Sequence, residues 1–271
     1  MPTSQDIKEI IKENRNFMKS PDWDDLIQSD QDKKLPQPAL FNQPKGTERI
    51  ELPKDFESLK LEDNFYSLLD GRKSRRIYNE KSISLLELSF LLWASLGVKG
   101  RRGKSYATLR TVPSGGARHG YESYVDAMKV DGLKSGVYHY LAEDHALEWV
   151  NDQTSENRTA SVSGQKWVGK AAALFYFTAV PYRFEWRYTI YAHKIALVDL
   201  GHIGENLYLA AEALKLGTCG IGAYGQEICD ELLKVDGENE FTVYVQPVGR
   251  MTDRNKSEEK EFYSFVEEEN L

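Results

Sequence analysis

The sequence predicts an α+β fold, and three observations carry that expectation. One long segment, "YAHKIALVDLGHIGENLYLAAEALKLG", repeats Ala196, Leu200, Ile203, Leu207, Ala210, Ala211 and Leu214 at helical spacing. Three alternating segments, "YESYVDAMKV", "SGVYHYLA" and "HALEWV", follow one another across short turns, which is the texture of an antiparallel meander. Elsewhere helical and strand-like segments mix irregularly, with no repeated βαβ unit, and this counts against a doubly wound parallel sheet.

The elements can be justified in order. Thr3 or Ser4 can cap a first helix carrying Ile7, Ile10, Ile11, Phe17 and Met18 at rough helical spacing. The following "PDWDDLIQSDQDKKLPQPALFNQPKG" is rich in Pro, Asp and Gln and has no period, so it predicts an extended arm lying on a surface, suited to wrapping a partner subunit. Residues 1–60 are therefore expected to form an N-terminal helix and arm, and residues 61–271 the main domain. "NFYSLLDG" predicts a short helix. "SISLLELSFLLWASLGV" predicts a strong one, with Ser84 and Glu87 as a capping box and Gly97 at its end. "RRGKSYATLRTVPSGGARHG" reads as a polar, Gly-rich loop. "SGQKWVGKAAALFYFTAV" reads as a helix end before a buried central strand. "GQEICDELLKV" predicts a helix and "EFTVYVQPVGR" a last strand. In the charged tail, Phe262, Phe265 and Val266 are candidate docking anchors.

Composition narrows the function classes. At 41% hydrophobic residues, 271 residues can bury a substantial core. A net charge of −7 repels polyanions at long range, so nucleic acid is not an expected partner. Two cysteines, Cys219 and Cys229, make no disulfide framework and fit a reducing compartment. The five histidines show no paired zinc spacing, and no metal is expected. The polar start and short apolar runs predict no signal peptide and no membrane span, hence a cytoplasmic protein.

Against that acidic background, "GRKSRRIYNE" is anomalous. A basic cluster of this kind is either a solvated turn or an anion clamp. Arginine gives bidentate, charge-assisted hydrogen bonds to phosphate, and a serine adds a neutral donor. In an extended turn Arg72, Ser74 and Arg76 would point one way, and Lys73 and Arg75 the other. "VPSGGARHG" offers Gly115 and Gly116 for close backbone approach, but it is neither a Walker loop nor a dinucleotide fingerprint. "LGTCGIGAYG" carries more glycine than a helix end needs, as expected of a backbone surface against a flat ring. Cys219 reads as a packed thiol rather than a nucleophile. Arg187 and Tyr188 are candidates for proton transfer. Asp199 and His202, three apart on one helix face, suit a structural hydrogen bond. Taken together, an anion clamp, two Gly-rich loops and Arg250 after the last strand fit a flat ring bearing a phosphate, and FMN is the natural candidate.

These motifs, in this order, resemble the nitroreductase-like FMN oxidoreductases. The resemblance covers roughly Asp63 to Arg250 and rests on "RKSRRIY", "ISLLELSFLLWASLG", "RTVPSGGARHGYESYV", "GVYHYLAEDHALE", "DLGHIGENLYLAAEALKLGTCGIGAYG" and "PVGR". Within the family, the sequence is most similar to the streptolysin-type azoline dehydrogenases of ribosomal-peptide biosynthesis. The resemblance implies an intertwined homodimer with an antiparallel-rich central sheet flanked by helices and FMN at the interface. It assigns the FMN phosphate and ribityl chain to Arg72, Lys73, Ser74 and Arg76, with Arg250 meeting the phosphate. It places Pro113, Ser114, Gly115 and Gly116 against the flavin, often from the partner chain, and sets Gly222, Ala223, Tyr224 and Gly225 at the ring. It implies two-electron hydride transfer through flavin N5, with NAD(P)H as a candidate donor and a small molecule or peptide as substrate. A non-catalytic flavin-binding scaffold subunit of a biosynthetic complex is the alternative. One departure stands out: the branch's Lys-Tyr pair reads Arg187-Tyr188, and "RAYR" reads Tyr191-Ala192-His193-Lys194. An arginine stays protonated and makes a poor general base, which counts against azoline oxidation.

Overall fold

The structure is a computed structural model, and it describes residues 3–20, 27–46, 48–251, 263–264 and 268. Helix α1 (Ser4–Phe17) starts with Thr3 and Asp6 in a reciprocal capping box. Strand β1 (Arg49–Glu51) and helix α2 (Phe65–Gly71, capped by Asn64) follow. Strand β2 (Ile83–Ser84) leads into helix α3 (Leu85–Leu96), where Ser84 and Glu87 form the expected capping box and Gly97 the end. The segment read as a polar loop instead forms a hairpin, β3 (Val98–Arg102) and β4 (Ala107–Arg110). After β5 (Tyr121–Ala127) comes the short β6 (Val130–Asp131), which pairs in parallel with β2, and β7 (Gly136–Leu141) and β8 (Ala146–Asn151) then complete the meander with β5. Then come α4 (Ser155–Ser161), β9 (Ala173–Ala179), α5 (Tyr182–Tyr188), α6 (Ala192–Ala213), β10 (Leu216–Thr218), α7 (Gln226–Leu233) and β11 (Phe241–Arg250).

Seven strands form one antiparallel sheet in the order β1-β8-β7-β5-β9-β11-β10. Strand β9 is buried along its whole length because both its faces are covered. Phe175 and Phe177 point into a core shared with α3 and α6, whereas Leu174 and Tyr176 point into a second core shared with α4 and α7. The α+β expectation therefore holds, as helices above and below an antiparallel sheet. Among the described residues no helix is long and apolar enough to cross a membrane.

The arm is tied to its own chain through buried carboxylates. Glu122 accepts the Asn42 amide at 2.9 Å and pairs with Arg183 at 2.7 Å. Glu148 accepts the amides of Lys45 and Gly46, and β1 then joins the sheet edge against β8. His139 lies between the two carboxylates, at 2.8 Å from Glu148 and 3.4 Å from Glu122. Phe262, Phe265 and Val266 lie outside the described residues.

Candidate functional site

The basic turn is built as an extended strip after α2. Asn64 caps α2, and the helix ends as the Arg72 amide donates to Leu68. Ser74 bridges Thr218 of β10 in parallel, the Arg75 amide donates to the Thr218 carbonyl, and Asn79 bridges Arg250 of β11. Extended backbone alternates its side chains. The Arg72 guanidinium sits over the Tyr208 ring, 5.4 Å from its centre, and Ser74 Oγ is 3.1 Å from the Tyr208 hydroxyl. Arg76 lies on the same side, bonded to Tyr263 and close enough to Cys219 to favour its thiolate against the upward push of burial. Arg75 turns the other way, toward Gly217. Lys73 is exposed.

The second Gly-rich loop meets this strip. The Gly220 amide donates to the Tyr208 hydroxyl at 2.7 Å, so one hydroxyl joins the loop to Ser74. A side chain at Gly220 is impossible without rearrangement, because a Cβ would fall 1.6 Å from the Tyr244 hydroxyl. Gly222 and Ala223 are exposed, and a Cβ on Gly222 would meet nothing within 4 Å. Their backbone thus faces open space. Tyr224 and Gly225 are held inward instead, by the Thr242 and Ser161 carbonyls.

Arg250 lies beside the strip but faces α3. Its Nε donates to the Ser82 carbonyl and its Nη2 to Glu87 at 2.7 Å, so it fastens the end of β11 to the α3 capping box.

The first Gly-rich loop lies elsewhere on α6. The Gly115 amide donates to Asp199 at 3.0 Å, and the Ser114 hydroxyl accepts the His119 amide. The Asp199 carboxylate is thus bound to this loop, not committed to His202. Burial raises its pKa, with Ser114 and Gly115 acting against that shift. Gly116 adopts φ +56° at a point where a Cβ would fall 2.6 Å from the Tyr188 hydroxyl and 2.9 Å from Arg187 Nε. Pro113–Gly116, Arg187 and Tyr188 therefore form one cluster. Arg187 also reaches the Tyr106 hydroxyl, at 3.5 Å, and that bond, followed by the charge of Arg187, lowers the phenol's pKa.

Asp199 and Tyr208 are nine residues apart on α6, so the two glycine loops of one chain are separated by about 13 Å along the helix. Two half-sites result. One holds the basic strip with Gly220–Ala223, the other Pro113–Gly116 with Arg187 and Tyr188.

No motif or spacing marks Tyr208 or Tyr106 as site residues. Tyr208 borders the apolar stripe of α6 at Leu207, and its partner Ser74 is 134 positions away. The cavities of about 310 and 370 Å³ lie under the arm, beside Glu122, His139 and Glu148, and do not include either half-site.

The donor set of the first half-site fits a flavin phosphate. It supplies two guanidinium groups and a hydroxyl on one side of a strip, next to glycine backbone open to a flat ring. Comparison with known proteins is consistent with this architecture. A "putative nitroreductase" of Methanocaldococcus jannaschii is 34% identical over 205 residues, 75% of this chain and 97% of the relative. The crystal structure of another from Ralstonia eutropha JMP134 superposes with a TM-score of 0.61 at 26% identity, covering 81% of this chain and 95% of that one. A chain of the E. coli microcin synthetase McbBCD complex, solved with truncated pro-MccB17 bound, shares the fold at 18% identity and a TM-score of 0.58, over 93% of this chain and 95% of its own. The profile of the nitroreductase family matches residues 69–250, from the end of α2 through the last residue of β11, and this chain belongs to that family.

Proposed function

We propose that the protein is an FMN-dependent oxidoreductase working as a homodimer, with NAD(P)H as electron donor and a small molecule or peptide as acceptor. The observation that carries this reading is the Tyr208 hydroxyl, which joins Ser74 of the basic strip to Gly220 of the glycine loop. FMN, when bound, supplies two-electron hydride transfer at N5. Arg72, Ser74 and Arg76 hold its phosphate and ribityl chain, with Lys73 adding positive charge from the exposed side. The Gly222 and Ala223 backbone lies against the ring, and Tyr224 and Gly225 fix that backbone from behind. Arg250 holds the strip in register through Glu87, beside the phosphate.

The dimer reading rests on the outer face of α6. Leu197, Val198, Gly201, His202 and Glu205 are exposed there, and α2 adds exposed Phe65, Tyr66 and Leu69. Exposed Leu197 and Val198 together with Phe65, Tyr66 and Leu69 are large apolar side chains that a partner would cover. Antiparallel pairing of two α6 helices places Pro113–Gly116, Arg187 and Tyr188 of one chain against the basic strip of the other and so completes the site. Tyr188 then serves as proton donor to the reacting acceptor, with Arg187 as a fixed positive charge rather than a base.

Purified protein is expected to be yellow and to release FMN on denaturation. Arg72→Ala with Arg76→Ala is expected to lose the flavin while the dimer persists by light scattering. Colourless protein that fails to bind added FMN overturns the reading. Bound FMN that neither NAD(P)H nor any tested substrate reduces supports the scaffold alternative.

A further inference from the structure

The β3–β4 hairpin is the element the proposed chemistry leaves unused, and its charge is unlike that of the rest of the chain. Between Glu87 and Glu122 there is no Asp or Glu, yet there are six Lys or Arg, in a protein whose net charge is −7. Arg110 and Arg118 are buried, and Arg101 pairs with Glu143. Lys99, Arg102 and Lys104 are exposed, and no carboxylate pairs with them among the described residues. An ordinary solvated surface mixes both signs; this one does not.

Shape and place narrow what such a surface suits. The hairpin is a two-stranded sheet of its own, so β3 and β4 each keep an edge that no other described strand pairs with. Lys99, Arg102 and Lys104 are spread along β3 and the turn that follows it. The hairpin also leads into the second half-site. Its tip residue Tyr106 bonds Arg187, which lies with the Tyr188 hydroxyl at Gly116. The Tyr106 carbonyl is held in place by Arg118 at 2.8 Å and by Gln37 of the arm at 3.1 Å.

We infer that the β3–β4 hairpin docks an extended acidic peptide segment, whose backbone pairs with a free edge and whose carboxylates meet Lys99, Arg102 and Lys104, guiding the attached residue toward Arg187 and Tyr188. Peptide fits better than nucleic acid because only a peptide satisfies the strand edge. The inference relies on the oxidoreductase reading only for the role of the half-site it leads to.

The test uses the full-length protein and a fluorescein-labelled hexaglutamate peptide, with binding followed by anisotropy and flavin content measured on every sample. Wild type is expected to bind the peptide, more weakly as salt rises. K99E/R102E/K104E is expected to weaken binding by about tenfold or more, the sum of three modest surface pairs. K8E/K12E/K19E, the same charge change on and just after α1, is expected to leave binding intact. No peptide binding by wild type, equal loss in both triple variants, or equal affinity for a single-stranded oligonucleotide of matched charge overturns the inference. Flavin content separates this from the proposed chemistry: colourless protein that binds the peptide at Lys99, Arg102 and Lys104 sinks only the flavin reading.

Discussion

The Gly220 amide donates to the Tyr208 hydroxyl across 2.7 Å. The same oxygen lies 3.1 Å from Ser74, so a loop, a helix and the basic strip share one atom. Removing that oxygen leaves the Gly220 N–H without its acceptor and Ser74 without its neighbour. Tyr208→Phe is therefore expected to destabilise the fold by about 1 kcal/mol, the loss of a part-buried hydrogen bond. It should also loosen FMN retention while the dimer persists. The checks are denaturant midpoints and equilibrium dialysis of FMN. Unchanged flavin affinity would leave Tyr208 a purely structural residue.

Gly220 itself tests the close packing of that loop. With a Cβ expected 1.6 Å from the Tyr244 hydroxyl, Gly220→Ala must displace either the ring or the loop. Overpacking of this kind costs on the order of 1–3 kcal/mol. The double variant Gly220→Ala with Tyr244→Phe should recover part of the loss, because it removes the clashing oxygen. Thermal melts of the four proteins in this cycle give the coupling, and strict additivity would show that the loop moves away from Tyr244.

Stability should be bounded on both sides of neutral pH by buried histidines. Burial opposes a charge on His139, but hydrogen bonds to Glu122 and Glu148 outweigh it and raise its pKa to about 9. The stability this gives is fully present below about pH 6.5 and is lost as pH rises through the folded value. His145 behaves in the opposite way. The Ser89 hydroxyl, 2.5 Å from the Pro53 carbonyl, donates to it, so His145 Nε2 donates to Ser89, and because burial keeps the ring neutral Nδ1 is left to accept from Tyr140. Burial, followed by Lys54, lowers the ring's pKa to about 4. Its contribution is full above about pH 6.5 and is lost as pH falls toward the folded value. Urea midpoints across the pH range should thus fall at both ends. His139→Gln should be less stable overall, since two buried carboxylates lose their cation, and should lack the alkaline decline. An alkaline decline that survives in that variant would assign it to another group.

Much of the scaffold was legible because local signals and tertiary demands agree. The Ser84–Glu87 box and Gly97 bound α3 by chemistry confined to a few residues, and the stripe from Ala196 to Leu214 marks α6 by periodicity alone. The β3–β4 hairpin was not legible. Its strands, "VKGRR" and "ATLR", lack alternation and pair only with each other, so nothing but the pairing itself reveals them. The alternation of Arg72, Ser74 and Arg76 was legible from extended backbone. The partner they meet was not, since Tyr208 becomes their neighbour only when α6 packs beside β10. For Asp199, the near neighbour His202 drew attention from a partner 84 positions away, the Gly115 amide.

Arg187 offers a test of what its guanidinium does beside two phenols. It stands 3.5 Å from the Tyr106 hydroxyl, and its centre is 5.6 Å from the Tyr188 ring. A nearby cation favours the phenolate, so the Tyr106 pKa lies below its ordinary value, with the Arg187 hydrogen bond as the leading cause. Arg187→Gln keeps a polar side chain but removes the charge, and it should move the Tyr106 titration back up. Arg187→Lys keeps a charge but loses the planar fork, and it should restore the shift only in part. Ultraviolet titration of tyrosinate, with Tyr106→Phe as the blank in each background, isolates this one phenol. A Tyr106 titration identical with Gln and Arg at position 187 would show that the guanidinium does not act on it. The same variants separate the two roles open to position 187 in turnover. If Arg187 acts as a fixed charge, the lysine variant keeps most of the rate and the glutamine variant loses it at every pH. If a base were needed there, lysine would exceed arginine as pH rises.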